Sequence, residues 1–277
     1  MTEEKFSISY SKPTVLLMQD TGIGVAEIAA RTCYDSFENS EHDSIKNFDV
    51  SNKLTSNMDL VNSINSSDLL DTLAWTHFHH SILEHSVLSF LIKGTSRGVL
   101  QEHARHRIQA ISVRSTRYTM SSVINAFVAS GRNHYWFANK MLELDMFVTT
   151  EENYNRLQIA DIFHKLIYQM DKMGSEEFIK TSIAKSSLDY ANNTESSEIK
   201  FKLLQDGKKK RNVGDAFKHI VNDNWKVDMV VSFNLRSLKN YFDLRDSGAA
   251  FFQIRWLAEA MKAQTPKKYL DLIVKGN

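Results

Sequence analysis

At 277 residues the chain is long enough for one large domain or two modest ones with a real core, and 34 Lys and Arg against 33 Asp and Glu leave a formal charge of +1. That balance argues against holding nucleic acid or an anionic membrane by bulk charge, while 42% hydrophobic and 24% charged residues exclude a disordered chain. The single cysteine, Cys33, excludes an intramolecular disulfide, a CxxC redox pair and any multi-cysteine zinc or iron–sulfur site.

The first residues, Met-Thr-Glu-Glu-Lys-Phe, lack the apolar run of a signal peptide, and no stretch approaches the roughly 18 apolar residues that would span a bilayer. A cytoplasmic protein without membrane contact is expected. The two prolines, Pro13 and Pro266, lie near the ends, so nothing between them forces a helix to break. Residues 14–18 (Thr-Val-Leu-Leu-Met) read as a short buried strand, 20–24 as the turn after it and 25–33 as a helix with Cys33 packed in it. From 36 to 68 the composition shifts to Ser, Asn and Asp, a polar surface insertion with short helical pieces. A helix is predicted over 69–78 and a strand over 86–94, closing at Gly94. A second helix is predicted over 97–106, with Val99, Leu100 and Ala104 as its apolar part.

Residues 151–173 carry Leu157, Ile159, Ile162, Phe163, Leu166 and Ile167 at helical spacing and form the clearest long helix. The polar stretch 192–212, with Gly-Lys-Lys-Lys-Arg at 207–211, reads as a solvated turn. A strand over 228–233 and helices over 235–245 and 249–263 complete the pattern, with no internal repeat. The expected class is α+β, one mixed domain over 1–277 with a central sheet flanked by long helices.

Some familiar signals fail. Gly22-Ile-Gly24 follows a strand and opens a helix, as a dinucleotide fingerprint should, but Glu27 occupies the third small position and would place a carboxylate against a pyrophosphate. A simple strand–helix turn fits better. There is no Gly-x-x-x-x-Gly-Lys-Ser/Thr loop and no His-Glu-x-x-His.

Two signals survive. His77, His79, His80 and His85 fall within nine residues, and His103 and His106 follow. Imidazole is a common metal ligand, so a metal-dependent hydrolase built on the 77–106 histidines is one reading. Histidines that cap carbonyls at a helix end and pack are the other.

The second signal is arginine. Five of the twelve (Arg97, Arg105, Arg107, Arg114, Arg117) lie between 97 and 117. A planar, permanently charged guanidinium holds phosphate bidentately and stacks on flat rings. Consecutive Arg105-His106-Arg107 cannot share one helix face, which suits a helix end turning into a loop. Surface salt bridges or an RNA-binding module would use the same residues. Residues 234–245 (Asn-Leu-Arg-Ser-Leu-Lys-Asn-Tyr-Phe-Asp-Leu-Arg) add a second polar edge. On a helix Asn234 and Arg245 lie about 20° apart and Arg236 and Asn240 about 40° apart, with Leu235, Leu238, Phe242 and Leu244 as the expected core. Amides interleaved with guanidiniums match a heteroaromatic ring with imide edges.

Arg105-His106-Arg107, seven residues, then Ser115-x-Arg117 resembles the signature of the flavin-dependent thymidylate synthases. His79-x-Ser81-x-Leu-Glu84-His85, Arg31-Thr-Cys-Tyr34 and Asn234-x-Arg236-Ser with Asn240 and Arg245 are similar to further family elements, in order across about 31–255. The resemblance implies that family's α+β fold and reductive methylation of dUMP to dTMP, with methylenetetrahydrofolate as carbon donor and NADPH as reductant through FAD. It implies a homotetramer with active sites shared between subunits. By the same resemblance Arg245 is the activating, catalytic group. His79, Ser81, Arg105, His106, Arg107, Asn234, Arg236 and Asn240 hold FAD, and Glu102, Arg105, Ser115, Thr116, Arg117, Lys218 and Arg245 hold dUMP; no metal is involved. Ser115 has no adjacent base and is assigned to binding.

The chain departs from the family pattern at several places. Val113 stands where many relatives carry Glu or Gln, Lys218 where a phosphate-binding Arg is common, and Ala249 where a His is often seen. Glu102 stands where a polar residue on the dUMP side is expected, and the 36–68 insert has no counterpart in the shortest relatives.

Overall fold

The structure, a computed structural model, describes residues 8–47, 59, 61–208, 210 and 213–275. The chain divides into two compact units. One consists of Lys12–Thr95, Val99–Val113 and the chain from Val227 onward; the other holds the segment up to Ser11, Ser96–Gly98 and Arg114–Lys226.

The first unit carries a sheet of β1 (Thr14–Asp20), β2 (Val87–Ser96), β3 (Ala110–Val113) and β4 (Lys226–Asn234), in the order β1-β2-β4-β3. β1 runs antiparallel to β2 with Val15 opposite Ile92, and β3 antiparallel to β4 with Ile111 opposite Val231. Ser89 Oγ meets Ser232 Oγ at 2.8 Å and Gly94 N donates to Asp228 Oδ1 at 3.0 Å, so the two central strands also run in opposite directions. Burial alternates along β4 and the first part of β2: Leu88, Phe90 and Ile92 are buried on β2, Met229, Val231 and Phe233 on β4. That period-2 pattern places one sheet face in the core.

Helices α1 (Gly24–Tyr34), α2 (Asp43–Lys46), α3 (Asp68–Trp75) and α4 (Arg97–His103) are interleaved with these strands. The second unit is helical: α5 (Thr116–Ala129), α6 (His134–Glu143), α7 (Glu152–Met173), α8 (Ser175–Ser182), α9 (Lys185–Ala191), α10 (Ser197–Asp206) and α11 (Val213–Phe217). The chain then returns to the sheet unit for α12 (Leu235–Arg245), α13 (Phe252–Gln264) and α14 (Lys267–Ile273). Each unit has its own apolar core. Ala26, Leu70, Leu238, Ile254, Leu257 and Tyr269 pack with the strand residues in one, and Met120, Phe127, Phe137, Ile162, Phe163 and Phe178 cluster in the other. Truncating a fully buried Phe such as Phe90 or Phe137 costs roughly 3–5 kcal/mol, so these layers fix where the polar side chains are presented.

The α+β class and the helix-flanked sheet agree with the sequence pattern. The two glycines after β1 have structural work. Gly22 sits at φ +78°, in the left-handed region, and a Cβ on Gly24 would fall 2.3 Å from Val61 O. The expected 69–78 helix stops at Trp75 with Thr76 as its C-cap, and Phe78, three residues beyond Trp75, takes a positive φ of 56°. Within 36–68, a 3₁₀ turn (Phe37–Asn39) and α2 supply short helical pieces; residues 48–58 and 60 lie outside the described residues. The 192–212 stretch contains α10, although Lys209 and Arg211 of the basic run lie outside the described residues. Leu157 is 69% exposed on α7, Ala104 is exposed, and Cys33 at the end of α1 is exposed rather than packed. Among the described residues no helix is long and apolar enough to cross a membrane.

Candidate active site

In the sheet unit, α4 ends at His103 and the chain turns through Arg105, His106 and Arg107 before entering β3. α12 begins where β4 ends, and Asn234 is its N-cap, accepting from Ser237 N at 2.8 Å. Leu235, Leu238, Tyr241 and Phe242 bury one face of α12 in the core. Leu244, expected in that core, is 53% exposed and lines a cavity instead. Six residues beyond Leu238 is about 240° around the helix, which carries Leu244 off the buried stripe.

The cavity has a volume of about 800 Å³ and is walled by Arg105, His106, Arg107, Arg236, Asn240 and Arg245, with Glu84, Ile108, Ser237 and Leu244. Two stretches far apart in sequence therefore meet around one space. Arg245 is the best held of these side chains. Its Nε donates to His106 Nε2 at 2.9 Å, its Nη2 to the Glu102 carbonyl at 3.3 Å, and its Nη1 lies 3.0 Å from Glu102 Oε2. Glu102 also reaches Arg105 Nη1 at 3.5 Å, so one carboxylate bridges two guanidiniums. Arg236 Nη1 pairs with Glu84 at 2.6 Å.

Because His106 Nε2 accepts from Arg245, the ring must be neutral with its proton on Nδ1. Burial and the adjacent Arg245 charge hold its pKa below the ordinary histidine value, against a weaker pull upward from Glu102. Behind it, Tyr241 stacks edge-on at 4.7 Å between ring centroids, and the Tyr241 hydroxyl meets His103 Nδ1 at 3.1 Å. Burial lowers His103 to about 4 and raises the Tyr241 phenol. His103 and Tyr241 thus form a neutral, buried backing for His106. Neither stood out in the sequence, where His103 read only as part of a histidine run and Tyr241 as one residue of a helix.

The remaining expected residues are distributed as follows. His79 and Ser81 are exposed, Ser81 on the 3₁₀ turn (His80–His85) that also supplies Glu84 to the cavity. Ser115, Thr116, Arg117 and Lys218 belong to the helical unit. There Ser115 caps α5 by accepting from Arg117 N at 3.3 Å, Arg117 pairs with Asp215 at 2.9 Å, and Lys218 is exposed on a 3₁₀ turn (Lys218–Ile220).

Of the 77–106 histidines, His80 Nε2 meets Ala74 O at 3.0 Å, the exposed His77 and His79 lie 5.9 Å apart between ring centroids, and His103 and His106 pack against Tyr241. Among the described residues, the ligand-type side chains that converge are Glu27, Glu41 and His42, outside that run. His42 Nε2 lies 2.8 Å from the Ser66 carbonyl, which can only accept, so this nitrogen carries a proton and is closed to a metal ion.

Residues 16–269 match the family model described as "Thymidylate synthase complementing protein". A flavin-dependent thymidylate synthase of Wolinella succinogenes is 26% identical over 262 residues, covering 92% of this chain and 95% of that protein. One from Helicobacter pylori is 26% identical over 257 residues, covering 92% and 94%. Among solved structures, thymidylate synthase X from Helicobacter pylori, crystallised with FAD and dUMP, is similar at a TM-score of 0.56 and 22% identity, covering 95% of this chain and 97% of that one. At that identity the likeness establishes the shared fold.

Proposed function

The chain belongs to the thymidylate synthase complementing protein family, and from that premise we propose that it is a flavin-dependent thymidylate synthase, converting dUMP to dTMP with methylenetetrahydrofolate as carbon donor and NADPH as reductant through FAD. The observation that carries this reading is the meeting of Arg105, His106 and Arg107 with Arg236, Asn240 and Arg245 around one cavity of about 800 Å³. That volume lies within the usual range of cofactor sites, and its donors suit a dinucleotide: guanidiniums for the phosphates, an amide and a serine hydroxyl for ring and ribose.

FAD would be held by Arg105, His106, Arg107, Arg236 and Asn240, with His79, Ser81 and Asn234 contributing from the neighbouring turn and helix cap. When bound, FAD supplies the redox chemistry that carries reducing equivalents from NADPH. dUMP would be held by the hydroxyl of Ser115, the backbone amide of Thr116 and the guanidinium of Arg117. Lys218 would act as a point charge on the phosphate, with Glu102, Arg105 and Arg245 beside the uracil.

Arg245 is the group that activates the ring. Three of its five N–H groups are committed to His106 and Glu102, which fixes the guanidinium plane and leaves the others for the uracil imide edge. A fixed positive charge there stabilises negative charge as it develops on the ring, without reorganisation at the moment of reaction. Glu102 enters as the carboxylate that orients Arg245.

The two units are assigned to this one activity. A homotetramer with shared sites is part of the proposal, supported by the sheet face away from the core, where Leu16 is 54% and Val230 37% exposed. The setting proposed is the cytoplasm, where NADPH, dUMP and reduced folate are supplied.

The test is NADPH oxidation by the purified, FAD-loaded protein, with dTMP scored as product. dTMP forming only when dUMP and methylenetetrahydrofolate are both present supports the reading; its absence under those conditions overturns it. Lys218→Ala is expected to weaken dUMP binding about 5–10-fold, less than a full charge-assisted contact because the side chain is exposed, with FAD affinity unchanged within twofold. Calorimetric titration of dUMP checks this, and an unaltered dissociation constant would place the phosphate elsewhere.

A further inference from the structure

Resting on the reading above, we propose that Gln109 is a positioning residue for His106 and Arg245: its side-chain amide locks the turn that presents His106 to the guanidinium. Gln109 Nε2 donates to the His103 carbonyl at 3.0 Å and to the His106 carbonyl at 2.8 Å. The first of these carbonyls closes α4 and the second lies in the turn that follows, where the helix ladder supplies no partner. A primary amide has two N–H groups on one nitrogen and can satisfy both acceptors at once without introducing charge.

The consequence is geometric. His106 N donates back to the His103 carbonyl at 3.1 Å, and its own carbonyl is held by Gln109. The His106 backbone is thus fixed on both sides, and the ring is delivered edge-on to Tyr241, with Nε2 2.9 Å from Arg245 Nε. That contact tolerates little drift, because a hydrogen bond weakens steeply once distance or angle is lost. Loosening the turn would free the Arg245 guanidinium to rotate about its remaining contacts with Glu102.

The charged and titratable groups facing His106 are Arg245 and Tyr241 on α12, and Glu102, His103 and Arg105 at the end of α4. Burial and Arg245 dominate and favour the neutral ring, with Glu102 opposing. A ring released from Arg245 and from burial should therefore protonate at higher pH than in the wild type, closer to the ordinary histidine value of about 6.5.

The experiment compares wild type with Gln109→Leu, which removes both donors at similar volume, and Gln109→Asn, a milder change that keeps the amide but falls one methylene short. In the FAD-loaded proteins, Gln109→Leu is expected to lower kcat for dTMP formation at least 10-fold and Gln109→Asn about 3–10-fold. KM for dUMP and FAD affinity should move less than about twofold. Ring-labelled histidine NMR should show the His106 titration moving to higher pH in both variants, a readout that a merely destabilised fold would not give. If Gln109→Leu does not fold, Gln109→Asn decides alone. Folded variants with kcat within twofold of wild type and an unmoved His106 titration overturn the proposal. Should wild type make no dTMP while the titration still moves, the positioning role stands and the assigned reaction is what fails.

Discussion

Arg245→Lys is expected to keep its flavin and lose dTMP formation by about 10²–10³-fold. The substitution preserves charge, so any role as a simple counter-ion would survive it. What it removes is the planar fork. Lysine has no Nε–H to give His106, and its single ammonium cannot also meet the Glu102 carbonyl and carboxylate at their observed places. The charge would become mobile at the point where a preorganised donor is worth about 2.7–4 kcal/mol to a transition state. FAD affinity should stay within about threefold, since Arg105, Arg107, Arg236 and Asn240 still line the cavity. Steady-state dTMP formation, with flavin occupancy read from absorbance, checks both halves. Activity within threefold of wild type would show that another group activates the uracil.

Glu27→Ala should damage the sheet unit about as much as truncating one of its core aromatics, lowering stability by about 3–5 kcal/mol. Glu27 is fully buried on α1; its Oε1 accepts from Arg31 Nε at 3.3 Å and from Ser40 Oγ at 2.8 Å, and His42 Nε2 lies 3.8 Å from its Oε2. Deleting the carboxylate leaves the Arg31 guanidinium, itself only 10% exposed, without its counter-ion, and strips an acceptor from the segment that follows α1. For a chain of this size the loss corresponds to a fall in Tm of roughly 10 °C. The double variant Glu27→Leu with Arg31→Met should recover most of it, because a buried ion pair exchanged whole for apolar side chains costs little. Thermal unfolding followed by circular dichroism distinguishes these outcomes. A Glu27→Ala protein melting within 2 °C of wild type would mean that the pair is effectively solvated.

Much of the fold could be read from the sequence because local and tertiary preferences coincide. α12 is an example: an asparagine cap, apolar residues at helical spacing and a polar edge all agree over Leu235–Arg245. α10 was hidden because it buries only Leu204 and so lacks an apolar stripe, and β3 because it is a four-residue edge strand with every side chain exposed. Glu27 could be recognised as wrong for a pyrophosphate, but its partners Ser40 and His42 come from a segment whose composition gives no pairing signal. For the site, the arginines and amides were visible as residue types suited to a flat, charged ligand. Their mutual geometry was not: His106 and Arg245 are 139 residues apart, and only the packing of α12 against the end of α4 turns two motifs into a hydrogen-bonded pair. His103, Tyr241 and Gln109 act through burial and backbone carbonyls, which no spacing rule reveals.

The central claim is that the cavity between the 105–107 turn and α12 accepts a flavin. The direct measurement is equilibrium titration of flavin-stripped protein with FAD, followed by flavin fluorescence, for wild type and for Arg107→Ala with Arg236→Ala. Saturable binding of one FAD per chain, weakened at least 10-fold in the double variant while the fold persists, is the predicted result. Wild-type protein that stays folded yet takes up no FAD, or binds it equally well without both guanidiniums, would contradict it.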